Sequence, residues 1–234
     1  MRRGIIYLLA LVFLLSVSRP VNAALMAMWD FGADATDYTL EPSKENVVGI
    51  PILEVGGGEY DINGKNGVAY RDSEGDDHIA GQAVAWDDVS AAAPLDDAYW
   101  IMTIDTTGFW DMTIRWDQWS DDSGAATGPT SFDFCYRIGQ EIGGGQINWG
   151  SWIRRLDDAA IIRDERWRPF SYDLSGIPSI ENHTHVQFRV NDLDRNDQNG
   201  DYKFDNLELT GVPEPATLLL LGLSSLMLVR RRGG

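Results

Sequence analysis

From Tyr99 onward the chain alternates apolar and polar residues in short runs. Trp100, Met102 and Ile104 share one parity. So do Trp110, Met112, Ile114 and Trp116, with Asp111, Thr113 and Arg115 on the other. The pattern returns in Phe132, Phe134, Tyr136 and Ile138, in Phe170, Tyr172 and Leu174, and in Thr184, Val186, Phe188 and Val190. A period of two sends successive side chains to opposite faces of a strand. Runs of this length, broken by Gly, Asp and Asn, predict antiparallel sheets with one face in the core and one in water. The expected fold class is all-β, an antiparallel sandwich.

The first half is less regular. Met28-Trp29-Asp30-Phe31 and Val47-Val48-Gly49-Ile50 are apolar clusters, and Gln82 to Trp86 reads as a short strand. Gly56-Gly57-Gly58, Asn63-Gly64 and Asn66-Gly67 are turn signals. Helix competes with strand only in Ser151 to Arg166, where a short helical turn is expected. The last strand contains a break of parity: Tyr202 and Phe204 share one face, Leu207 and Leu209 the other. Keeping both pairs in the core requires a bulge at Asp205-Asn206. That bulge sets a carboxylate beside the core, which is costly unless the group is paired or binds a metal.

Both ends carry a different pattern. Met1-Arg2-Arg3, the apolar run Ile5 to Val17 and Val21-Asn22-Ala23 have the layout of a secretory signal peptide cut after Ala23, residues 1–23. At the other end, Ala216 to Val229 is uncharged and mostly Leu. As a helix it would span roughly 21 Å, short of the roughly 30 Å hydrocarbon core. Pro213 and Pro215 oppose its extension backwards, and Arg230, Arg231 and Arg232 form a stop-transfer cluster. Val212-Pro213-Glu214-Pro215, a short hydrophobic helix and a terminal Arg cluster resemble the PEP-CTERM sorting signal of Gram-negative bacteria, residues 212–234. The resemblance implies Sec export, transient anchoring in the membrane by the C-terminal helix, and recognition by an exosortase that removes the tail. The expected destination is the cell surface or the extracellular matrix.

The domain left between these segments, 24–211, is long enough to bury a single core. Without the three Arg of the leader, and the three Arg and Glu214 of the tail, the net charge moves from −17 to −22. Such a surface repels nucleic acid and anionic membranes and attracts divalent cations. Cys135 is the only cysteine, so no internal disulfide forms and a structural thiol is expected. Ser123 to Pro129, Phe188-Arg189-Val190 and Phe204-Asp205-Asn206-Leu207 resemble pieces of a jelly-roll sandwich similar to galactose-binding-like carbohydrate modules, over roughly 80 to 210. That resemblance implies a jelly-roll-like β-sandwich as cargo.

Candidate chemistry is sparse. The loop from Asn191 to Asp201 places Asp192, Asp194, Asn196, Asp197 and Asp201 close together, with Asp205 following on the last strand. Hard oxygens at alternate positions suit Ca²⁺. It is not an EF-hand, since Asp197 falls where Gly is required and Lys203 where the bidentate Glu belongs. A solvated loop and a structural Ca²⁺ site that staples it are both open readings. His183-x-His185 on a strand would be half a zinc site without a third ligand. The acid doublets, such as Asp121-Asp122 and Asp157-Asp158, would point to opposite faces of a strand and do not by themselves make the facing pair that glycoside hydrolysis needs. No nucleophile elbow or phosphate-binding glycine loop is present.

All nine Trp lie between Trp29 and Trp167. Trp100, Trp110 and Trp116 fall in register with core positions. Trp119, Trp149 and Trp152 lie near loops, where indoles either pack or serve as platforms for sugar C–H faces. Three functions follow as expectations: a non-catalytic domain binding exopolysaccharide, a polysaccharide-active enzyme using two of the acids, or a Ca²⁺-stiffened matrix protein.

Overall fold

The computed structural model describes residues 23–31, 42–47, 49, 51–56, 60–61, 67–75, 77–78, 80–86, 98–122, 128–194 and 200–214. The expected leader apart from Ala23, the expected tail from Pro215 onward, and Asn196 and Asp197 lie outside them. Among the described residues no helix is long and apolar enough to cross a membrane.

The strands are β1 Ala24–Trp29, β2 Lys44–Glu45, β3 Ile52–Gly56, β4 Tyr60–Asp61, β5 Tyr70–Arg71, β6 Asp77–His78, β7 Val84–Trp86, β8 Tyr99–Ile104, β9 Phe109–Ser120, β10 Ser131–Gly143, β11 Gln146–Trp149, β12 Ile153–Ala160, β13 Arg168–Asp173, β14 Val186–Asp194 and β15 Tyr202–Pro213. A seven-stranded sheet runs β13-β9-β15-β1-β2, with β7 also paired to β15 and β4 to β7. A six-stranded sheet runs β11-β10-β14-β8-β3, with β12 also paired to β10. All pairings are antiparallel. The two sheets enclose one core, so the chain is an all-β antiparallel sandwich, as the alternation predicts.

Aromatic rings fill the space between the sheets. Trp116 on β9 meets Trp100 on β8 edge-on, with centroids 5.4 Å apart. Phe132 on β10 lies 5.5 Å from it and Phe170 on β13 4.4 Å. Trp86 stacks on Phe204 at 5.6 Å, and Phe31 meets Phe204 edge-on at 5.3 Å. Each such ring withdraws a large apolar area from water, and the offset and edge-on arrangements add to the gain.

Two expectations are corrected. Ser151 to Arg166 contains β12 instead of a helical turn. It is an edge strand, mostly exposed, so its sequence shows no clean period. Trp110 is not core but 36 % exposed. Asp111 adopts φ +46 and the register of β9 against β15 shifts between Thr113 and Trp110. The bulge turns Trp110 away from the face that carries Met112, Ile114 and Trp116.

The other bulge lies where the broken parity of β15 requires it. Register with β9 shifts between Asp205 and Glu208, and Asn206 has φ +51. Tyr202, Phe204, Leu207 and Leu209 are all buried. The bulge also divides the neighbours of β15, with β7 pairing to Tyr202–Phe204 and β1 to Leu207–Gly211. Gly67-Val68 closes the gap between them. The Val68 amide donates to Asp205 Oδ2 at 2.8 Å, and Asn206 Nδ2 donates to the Val68 carbonyl and to Asp117 Oδ2, each at 3.0 Å. A Cβ on Gly67 would stand 2.3 Å from Asp205 Oδ2 and 2.5 Å from the Gln82 carbonyl, so only glycine fits there.

Asp205 is fully buried. Burial pushes its carboxyl up to about 8; the Val68 and Asn206 amides oppose that rise, and the Asp117 and Asp30 charges add to it. An unfolded Asp releases its proton near the ordinary value of 3.8. Between those limits the native state holds a proton that the unfolded chain has lost, so stability falls as pH rises through this window. Thermal unfolding should therefore give a higher midpoint near pH 5 than near pH 8. Asp205→Asn, which keeps an acceptor for Val68 but cannot titrate, should flatten that slope; an unchanged slope would refute the assignment. For the core, Trp116→Ala should cost about 3–5 kcal/mol by denaturant titration.

Candidate functional site

The outer face of the six-stranded sheet carries the most organised set of exposed side chains. Alternation decides which residues reach it. Trp100, Met102, Phe132, Phe134, Phe188 and Val190 point into the core, leaving Tyr99, Ile101 and Thr103 on β8, Arg137 and Gly139 on β10, and Gln187 and Arg189 on β14 to face outward. Register then sets them side by side. Thr103 faces Gln187, which faces Arg137. The Gln187 amide bridges them, accepting from Arg137 Nε at 2.6 Å and donating to Thr103 Oγ1 at 2.7 Å. One row over, Ile101, Arg189, Cys135 and Arg154 are aligned.

Aromatic rings interleave with these arginines. The Arg137 guanidinium carbon lies 5.1 Å from the Trp149 ring centroid and 4.3 Å from that of Trp152. That of Arg189 lies 5.6 Å from Trp152 and 5.2 Å from Tyr99. The sequence Trp149, Arg137, Trp152, Arg189, Tyr99 forms a ladder of alternating rings and cations across the sheet. Both ends of the ladder rest on a glycine. A Cβ at Gly139 would stand 2.4 Å from Ile147 Cγ2 and 2.8 Å from the Trp149 ring, and one at Gly56 would stand 2.7 Å from the Tyr99 ring. Neither glycine has a positive φ, so what they provide is space for a ring.

Burial, then the neighbouring Arg189 charge, lower the readiness of Arg137 to hold its proton, while Glu54 raises it. Among the described residues neither Arg137 nor Arg189 has a carboxylate partner, and Arg189 Nε is buried without a hydrogen bond. Arg154 is different. It lies 3.0 Å from Asp133 Oδ2 and pairs with Asp157.

Of the three Trp expected at a sugar platform, the fold brings Trp149 and Trp152 together and separates Trp119 from them. Trp119 is on β9 in the opposite sheet, where Lys203 Nζ stands 4.0 Å over its ring. The acidic residues named for Ca²⁺ are similarly divided. Asp192 and Asp194 belong to β14 in the six-stranded sheet, Asp205 to β15 in the seven-stranded one, and Asp201 precedes β15 with Lys203 Nζ 4.0 Å away. Among the described residues no group of three His, Cys, Asp or Glu side chains could hold a metal ion. His183 and His185 precede β14 instead of sharing a strand face, and the His185 amide donates to His183 Nδ1 at 3.2 Å. Cys135 is buried, as expected of a structural thiol, and its Sγ lies 3.7 Å from Asn191 Oδ1.

Two grooves lie elsewhere. One of about 490 Å³ beside the β10–β11 hairpin is lined by Gln140, Glu141, Asn148 and His183. The other, about 240 Å³ under the β5–β6 hairpin, includes Asp72, Arg115 and Glu208. Its acids hold the hairpin in place: Glu208 Oε1 accepts the Ser73 amide at 3.0 Å and Asp72 Oδ1 the Glu74 amide at 3.1 Å.

No family model matches the chain, and no curated protein does. Solved structures with a similar course of chain include a xylan-binding domain from Paenibacillus barcinonensis, 10 % identical over 83 % of this chain and 99 % of that one, with a TM-score of 0.41. A family 11 carbohydrate-binding module from Clostridium thermocellum is 15 % identical over 82 % and 99 %, TM-score 0.33. A cleaved adhesin domain of Lys-gingipain from Porphyromonas gingivalis is 9 % identical over 80 % and 98 %, TM-score 0.35.

The glycine seats give a direct test of the ladder. Gly139→Val should displace the Trp149 ring and change the tryptophan emission and near-ultraviolet circular dichroism while leaving the far-ultraviolet spectrum intact. An unchanged near-ultraviolet spectrum would show that the ring does not rest there.

Proposed function

We propose that this is an exported, non-catalytic glycan-binding protein whose ligand lies along the outer face of the six-stranded sheet. The observation that carries the reading is the pairing of Trp149 and Trp152 on one exposed surface, each over the Arg137 guanidinium. The half-buried rings offer stacking surfaces for sugar C–H faces, while Thr103 and the terminal nitrogens of the guanidiniums supply hydroxyl partners. Rings and guanidiniums spread across a sheet face suit an extended chain.

Export rests on the two terminal patterns, and the proposed partners are the Sec machinery, an exosortase and, outside the cell, exopolysaccharide. β15 runs through Val212 and Pro213, and the Glu214 amide donates to the Gly108 carbonyl at 2.6 Å. A cut after Glu214 would therefore leave the whole last strand in the sheet, and the released domain would keep its fold.

A glycan array probed with the full chain should show binding, and Trp149→Ala with Trp152→Ala should reduce the affinity at least about tenfold, a loss of about 1.4 kcal/mol or more. Trp119→Ala, on the opposite face, should leave it unchanged. Equal loss from Trp119→Ala, or none from the pair, would refute the placement.

A further inference from the structure

We infer that the ladder selects polysaccharides carrying carboxylates, uronate-rich chains, over neutral ones. This rests on the glycan-binding reading of the same face. The first ground is where the positive charge sits. The domain between the expected leader and tail carries a net −22, yet Arg137 and Arg189 stand close together on this surface without a carboxylate partner among the described residues. Among the described residues Arg71 pairs with Asp77, Arg115 with Asp117, Arg154 with Asp133 and Asp157, and Arg168 with Asp164, while Arg155, Arg163 and Arg166 form no ion pair and have no ring beside them. What sets Arg137 and Arg189 apart is their place, two guanidiniums without a carboxylate partner side by side among the aromatic rings of one face.

The second ground is geometry. The Nε of Arg137 is bound to Gln187, which fixes the plane of the guanidinium and leaves its two terminal nitrogens for a ligand. Arg189 brings a second fork next to it, between Trp152 and Tyr99. A planar fork matches a carboxylate in a bidentate pair, whereas a hydroxyl uses only one of its donors. Rings that stack on the sugar and forks between the rings that take its carboxylate suit a chain with an acid group on its pyranose units. The like charges of Arg137 and Arg189 disfavour each other in the empty protein, and an anion between them removes that penalty. Glu54, exposed on β3, is the acid whose charge acts on Arg137; it forms no ion pair with Arg137 or Arg189, and Ile101 stands between it and Arg189 in the register.

The acidic surroundings narrow the choice further. They repel a polyanion everywhere except here, so binding must combine stacking with local ion pairing instead of broad charge attraction. Nucleic acid, with its dense phosphates, is disfavoured on the same ground.

The test is calorimetric titration of the full chain with oligogalacturonate, alginate oligomers, neutral xylo- and gluco-oligosaccharides of equal length, and dextran sulfate. Uronate chains should bind about tenfold or more tighter than neutral ones, and dextran sulfate more weakly than uronate. Raising salt from about 50 to 500 mM should weaken uronate binding several-fold and leave neutral binding unmoved. Arg137→Gln and Arg189→Gln should each cost uronate binding about tenfold and neutral binding distinctly less, so that the preference for uronate shrinks, while Trp152→Ala should reduce both by a similar factor. The salt series needs no variant, so it decides even if a substitution unfolds the sheet. Equal affinity for neutral and uronate chains, or dextran sulfate binding as tightly as uronate, would overturn this inference and leave the glycan reading standing. Failure to bind any of the sugars would overturn both.

Discussion

One buried carboxyl group decides how the seven-stranded sheet closes. β15 is central in that sheet and has to pair with β9 on one side and with two separate strands on the other. An unbroken strand of its sequence could not do so, because Tyr202 and Phe204 would then oppose Leu207 and Leu209. The bulge at Asp205-Asn206 restores all four to the core. The side chains of those two residues then take over the ladder hydrogen bonds that the bulge removes, gripping the amide and the carbonyl of Val68. A buried carboxyl is costly to ionise, and here its use is local: it satisfies backbone groups that would otherwise be orphaned between β7 and β1. The close approach at Gly67 is the steric counterpart of the same junction.

This junction also shows where a sequence informs and where it stops. The parity break in β15 is visible in the order of four apolar residues, so the amino-acid order alone places the bulge. The bulge in β9 has no such signature, because Trp110 keeps perfect alternation with Met112, Ile114 and Trp116; only the positive φ of Asp111 turns it out. β12 is illegible for a different reason. Edge strands have little to bury, and Ile153 to Ala160 carries no periodic signal. Trp149 and Trp152 can be read as platform candidates because they fall outside the core register. Their partners cannot, since Arg137 and Arg189 are 52 residues apart in the numbering and become neighbours only through the β10–β14 register. A usable signal is still present: an arginine between two buried positions of a core strand must face outward.

Each sheet has an outer face, and the two faces are used differently. On the seven-stranded sheet the β5–β6 hairpin lies against the surface, and Asp72 and Glu208 are spent on its backbone amides. Trp119 is capped by Lys203 there. On the six-stranded sheet the rings and guanidiniums of the ladder contact mainly one another and lie half-exposed at the surface. Acids committed to amides are poor candidates for proton transfer, whereas guanidiniums without a carboxylate partner are suited to recognition.

Rigidity completes the argument for recognition. The ladder residues Arg137, Arg189 and Tyr99 stand on β10, β14 and β8, strands whose opposite faces carry Phe134, Phe188, Trp100 and Met102 in the core. Their Cα positions are fixed by packing, and Gln187 and the two glycine seats restrict the side chains as well. Side chains ordered before the ligand arrives lose little conformational entropy when it binds. That matters for a polysaccharide, which surrenders much of its own flexibility on a shallow surface. With Arg137, Arg189 and Tyr99 held on core strands, and Trp149 and Trp152 laid against those guanidiniums, most of the ordering cost falls on the ligand side.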